Sequence, residues 1–255
     1  MRYQSFLNLL VWGSLFLSVS CQTGSETRQD KLQEIVDTKL GFAQKQIDAG
    51  KPEHALQVLR PLLREFPKDA KVHNMAGIAF LALAKPIRAQ SFFKAAYKLE
   101  KSPSYALNLS SALLAAGSFS SAHKLLKALL DGSYEYKERI YHNMALVMEN
   151  EGKTDEAIHL YSTALDENPS YFLSNIRLGK LYDQTKRPRL ALSAFQQASK
   201  TCVVCFEPVH EIVMLYLKAK APEKAKKVLL DFVANKEVAK EDRESAQKLL
   251  KLASR

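Results

Sequence analysis

Arg139 to Pro169 reads RIYHNMALVMENEGKTDEAIHLYSTALDENP, and its apolar spacing decides the fold. Tyr141, Met144, Ala145 and Met148 recur at three- and four-residue intervals, which places them on one face of a helix that Gly152 ends. Lys153 and Thr154 make the turn. Ala157, Leu160, Tyr161, Ala164 and Leu165 then form a second apolar face, which Pro169 stops because proline has no N–H to donate to a continuing helix. The stretch is a helical hairpin. Small Ala145 and Ala157 sit where the two helices must touch, with larger Tyr141, Met148 and Tyr161 beside them. Each helix has buried one face only, so the remaining apolar edges require neighbours of the same kind.

Such neighbours are present. Taking the second-helix alanine as a marker, Ala55, Ala89, Ala122, Ala157, Ala191 and Ala225 follow one another at intervals of 34, 33, 35, 34 and 34 residues. This pattern resembles the tetratricopeptide repeat, a unit of about 34 residues with marked large, small and aromatic positions on a helix A and a helix B. In the opening stretch Tyr141, Met144, Ala145, Met148, Ala157, Tyr161, Ala164 and Pro169 fill those positions. The resemblance implies an all-α, right-handed superhelical solenoid of six repeats, at about 36–69, 70–102, 103–137, 138–171, 172–205 and 206–239 within a repeat region 31–240. Segment 241–255, with Ala246, Leu249, Leu250 and Leu252, reads as a C-terminal capping helix. No run of alternating polarity signals a strand.

The first twenty residues have a different character. Met1 and Arg2 precede an apolar run from Phe6 to Leu17 that is too short to span a bilayer, as in an export signal. The run ends in Leu17-Ser18-Val19-Ser20-Cys21, which resembles a bacterial lipobox, with Ser18 where that motif usually carries Leu. The resemblance implies a signal peptide at 1–20, acyl chains on Cys21 and a membrane tether at 21–30; Gln22 in place of Asp implies the periplasmic face of the outer membrane. An ordinary secretory signal or a single anchoring helix is the alternative. Several acyl chains hold a soluble body to a membrane stably where one short chain does not.

In the repeat family, helix A residues at the second, fifth, ninth, twelfth and thirteenth positions face a concave groove. Carried onto this sequence, that register places Leu107 and Leu114 of the third repeat, Arg139, His142 and Leu146 of the fourth, and Leu173 and Ile176 of the fifth in a partner-binding groove. An apolar band of this kind suits an apolar or amphipathic segment of a protein partner.

The net charge of +10 at pH 7 is spread over the second helices, and only Arg2 of it falls in the first twenty residues. No basic run or nucleic-acid module stands out, so nucleic acid is not the expected partner. Cys202 and Cys205 lie at the junction of repeats five and six. A redox pair belongs at a helix start after a strand, and a metal site needs two more ligands where His210 alone is near. A structural disulfide in an exported protein is the simplest reading. The six histidines show no HExxH spacing, and neither GxSxG nor a phosphate-binding glycine loop occurs. No catalytic residue, metal or cofactor other than the lipid on Cys21 is expected.

Lipobox and repeats together resemble the pilotins of type IV pili. That resemblance implies a non-enzymatic lipoprotein that binds an outer-membrane secretin of the PilQ type and promotes its localisation and multimerisation. Scaffolding of peptidoglycan hydrolases, a part in outer-membrane protein assembly, and an envelope thiol-disulfide role for Cys202 and Cys205 are the alternatives.

Overall fold

The computed structural model of the protein describes residues 28–130, 132 and 136–253. The signal segment and Cys21 lie outside them. All regular structure among the described residues is helical. The helices are α1 (28–48), α2 (Pro52–Glu65), α3 (Ala70–Ala82), α4 (Pro86–Leu99), α5 (Pro103–Ala115) and α6 (Phe119–Leu130). They continue with α7 (Lys137–Asn150), α8 (Thr154–Glu167), α9 (Phe172–Gln184), α10 (Pro188–Thr201), α11 (Phe206–Lys218), α12 (Pro222–Ala234) and α13 (Lys240–Ala253). Residues 28–30, expected to belong to the tether, are already helical.

Within each unit the helices pair as antiparallel hairpins, and one turn chemistry follows each first helix. Gly50, Gly117 and Gly152 adopt left-handed φ values of 69–74° after a first helix, and Ala84, Lys186 and Lys220 do so at 53–59° in the other three. This conformation lets the next N–H reach back over the helix end. Lys51, Lys85, Ser118, Lys153, Arg187 and Ala221 donate to the carbonyls of Gln46, Phe80, Leu113, Met148, Tyr182 and Tyr216 at 2.7–2.9 Å, the six-residue closure of a Schellman end. Prolines then start the second helix in α2, α4, α10 and α12, where a missing N–H costs nothing.

The chain falls into two compact units, one ending at Ala112 and the other beginning at Leu113. The core of the first joins Val36, Leu40 and Ala43 of α1 to Ala55, Leu59 and Leu62 of α2 and Val72, Ala76 and Ala79 of α3. In the second, Ile176, Ala191, Phe195, Ala198 and Ile212 form one cluster across α9, α10 and α11. A further cluster carries Val209 and Val213 onto Ala225, Leu229 and Phe232 and ends on Ala246 and Ala253 of α13. Arg243 ties α13 to the preceding turn by donating to the carbonyls of Asn235, Lys236 and Val238 at 3.0–3.1 Å.

Volume is matched between the two helices of a hairpin. A Cβ at Gly77 or Gly179 lies 2.5–2.6 Å from the rings of Phe93 or Phe195, too close for any side chain. At the equivalent positions of the repeat, Ala43, Ala145 and Val213 stand against Leu59, Tyr161 and Leu229. Glycine therefore stands where the partner is phenylalanine, and bulk returns where it is leucine.

Candidate partner-binding surface

The first-helix side of the second unit is built from α7, α9 and α11, and polar contacts knit their seams. His142 Nδ1 and Ser174 Oγ are hydrogen-bonded at 2.9 Å across the α7–α9 seam. The imidazole packs against the rings of Tyr161 and Tyr171 with centroids 5.2 Å away. Burial, assisted by the Arg177 charge, pushes its pKa down to about 3, so it is neutral at pH 7. Below it the Tyr161 hydroxyl donates to Glu149, which also lies 3.9 Å from Arg177. Burial and that carboxylate hold the Tyr161 phenol far above its ordinary pKa, and burial raises Tyr171 as well. Between α9 and α11, Lys180 pairs with Glu207 at 2.7 Å and Lys218 with Asp183 at 2.9 Å. These exposed pairs set register more than they add stability.

Not every residue carried over from the repeat family lines an open surface. Leu107 is fully buried, Ile176 is 3% exposed and His142 6% exposed. Leu114, Arg139 and Leu146 are half-buried, while Leu173 is open at 39%. The expected band is thus corrected for Leu107, His142 and Ile176, which belong to the interior. The fifth helix A position points into the seam with the next hairpin. There His142 meets Ser174, and Ile176 meets the cluster containing Ile212.

What opens beside Leu173 is a depression of about 430 Å³ lined by Phe172, Ile176, Cys205, Phe206, Glu207, His210 and Asp242. Its floor is aromatic and aliphatic, and its rim carries two carboxylates and an imidazole. Phe172 and Phe206 hold the first position of their repeats, which the groove register skips, so the sequence pattern does not disclose them. Extending the wheel by one turn to the helix starts brings them in.

The Cys202–Cys205 disulfide closes the turn between α10 and α11, with Cα atoms 5.4 Å apart. Cys205 lines the depression just described. Val203, in the same turn, lines a second one of about 510 Å³ with Ile212, Val228 and Phe232 on the second-helix side. The turn is therefore a wall shared by two surface depressions. Among the described residues no group of three or more His, Cys, Asp or Glu side chains is gathered as a metal site would require.

Residues 142–201 match the family model of the tetratricopeptide repeat, and the hairpins outside that stretch share its turn and spacing. Stacked helical repeats of this kind offer extended surfaces on which a partner can be bound. Among solved structures, the chain resembles Pseudomonas aeruginosa PilF with a TM-score of 0.60 and 16% identity, over 84% of this chain and 96% of that one. PilW, a widely conserved type IV pilus biogenesis factor, gives a TM-score of 0.63 and 14% identity, over 84% and 98%. Human IFIT1 gives 0.60 and 17%, over 78% of this chain but 49% of its own. At these identities the likeness is one of fold. No curated protein sequence matches the chain.

Proposed function

We propose that the protein is a pilotin: a lipoprotein anchored through Cys21 to the periplasmic face of the outer membrane, which binds secretin subunits and promotes their multimerisation for type IV pilus assembly. The observation that carries this reading is the extent of the likeness to PilF and PilW. This chain accounts for 96% and 98% of their lengths, whereas it spans half of IFIT1. Arrays of the same repeat vary widely in number, so agreement from end to end is more specific than agreement in fold. The lipobox-like end at Cys21 supports the same reading independently.

The secretin segment docks on the first-helix side of the second unit, with Leu173 and the Phe172–Phe206 floor taking apolar side chains. Asp242 at the rim favours a basic residue flanking that apolar segment, whereas Glu207 is already paired with Lys180. Binding alone suffices, because covering an apolar segment keeps a secretin monomer from aggregating until the ring buries it. Deleting the gene and resolving envelope extracts without boiling tests this. Secretin multimers should fall with monomer remaining, and complementation should restore them. Undiminished multimers and normal pili would overturn the reading.

A further inference from the structure

Helix α1 carries an apolar stripe that nothing in its unit covers. Leu32, Ile35 and Phe42 are 43%, 49% and 51% exposed, while Val36, Leu40 and Ala43 on the adjoining face are buried. On a helical wheel at 100° per residue the three exposed residues fall within an arc of about 80°. The charges of the helix segregate around that arc. Arg28 and Lys39 lie on it and Lys31 beside it. Asp30, Glu34, Asp37 and Asp48 gather on the other flank, from which Asp37 pairs with Lys71 of α3 at 3.2 Å. Hence the open side of α1 is apolar and cationic with no carboxylate on it.

We infer that this side of α1 lies on the membrane surface, with Leu32, Ile35 and Phe42 in the headgroup layer and Arg28, Lys31 and Lys39 on anionic lipid phosphates. The inference rests on the Cys21 anchor proposed above. Six residues lie between Cys21 and Arg28, and seven extended Cα-to-Cα steps span at most about 3.5 Å each, so the anchor holds the start of α1 within about 25 Å of the bilayer. Helices that bind at the interface have this composition: an aromatic and aliphatic face bordered by Lys and Arg. Confinement near an anionic surface removes most of the cost of association, so a short stripe suffices where it would not for a free protein.

The one tryptophan of the sequence, Trp12, precedes Cys21, so the processed chain offers a dark background. Phe42→Trp and, on the opposite flank, Asp48→Trp are to be made in the full lipidated chain. Each is reconstituted into phosphatidylethanolamine–phosphatidylglycerol vesicles with and without brominated acyl chains. The Phe42→Trp emission should shift to shorter wavelength and lose intensity with the brominated lipid. Asp48→Trp should do neither, and adding Lys31→Glu with Lys39→Glu should reduce the Phe42→Trp response. Mass spectrometry of the N-terminal peptide reads the anchor separately. An unacylated Cys21 defeats the anchored reading and this inference together. An acylated chain whose Phe42→Trp emission matches that in lipid-free solution defeats the inference alone, as does an equal shift at both positions. A shift that appears without lipid as protein concentration rises would assign the stripe to a second copy instead.

Discussion

The fourth and fifth hairpins are neighbours built on one template, yet they fill it oppositely. In the fourth, Ala145 faces Tyr161, and the seam to the next hairpin holds His142, Ser174, Glu149 and Arg177. In the fifth, Gly179 faces Phe195, and Ile176 occupies the place of His142 among aliphatic and aromatic neighbours. The repeat fixes where side chains must meet. It leaves open whether the meeting is polar or apolar. The polar seam constrains orientation through directional bonds, whereas the apolar one depends on volume alone.

Acid should separate the two most strongly. The His142 pKa is lowered on folding, so the unfolded chain binds the proton more tightly. Its contribution is complete above the unfolded value of about 6.5 and is lost as pH falls from there towards about 3. The loss approaches roughly 1.4 kcal/mol per pH unit, or about 2–3 kcal/mol at pH 4.5. Chemical denaturation at a series of pH values should show His142→Asn to be less sensitive than the wild type over that window. A parallel pair of curves would show that the imidazole is not held neutral.

The next effect tests the apolar hairpin. A methyl group at Gly179 meets the Phe195 ring at 2.5 Å, so Gly179→Ala should cost about 2 kcal/mol through displacement of that ring, despite the better helix propensity of alanine. Ala145→Gly has no such clash to relieve and should cost only the propensity difference, about 1 kcal/mol. Thermal unfolding of both variants gives the comparison. Equal losses would mean that the glycine is there by accident.

Tyr161→Phe deletes the hydroxyl that donates to Glu149 and leaves the ring in place. Because Glu149 retains Arg177, the expected loss is near the middle of the range for one hydrogen bond, about 1–1.5 kcal/mol. Smallest, and opposite in sign, is the turn of the fifth hairpin. Lys186 holds a φ of 59° where Gly152 serves in the fourth, so Lys186→Gly should raise stability by about 0.5–1 kcal/mol, measured as a shift in the denaturation midpoint.

These hairpins also show which parts of the molecule the sequence discloses. The marker alanines Ala55, Ala89, Ala122, Ala157, Ala191 and Ala225 are all fully buried, because any larger residue there would push the paired helices apart. A spacing rule can find such positions. The left-handed turns at Ala84, Lys186 and Lys220 escape it, since nothing in those residue types favours the conformation. Which helix A side chains stay exposed is less legible. Leu173 is open, but Leu107, His142 and Ile176 turn inward, because what faces outward depends on how closely neighbouring helices pack. The depression floored by Phe172 and Phe206 needs residues from successive hairpins and α13 to meet, and no single repeat encodes that meeting.

Photo-crosslinking from Leu173, the exposed residue beside that depression, tests the proposed function most directly. With a photoreactive amino acid replacing Leu173 in cells that assemble type IV pili, irradiation should join the protein to a secretin monomer. The adduct should weaken when Phe206→Glu is added. Adducts to a cell-wall hydrolase or to barrel-assembly components, with none to secretin, would contradict the pilotin assignment.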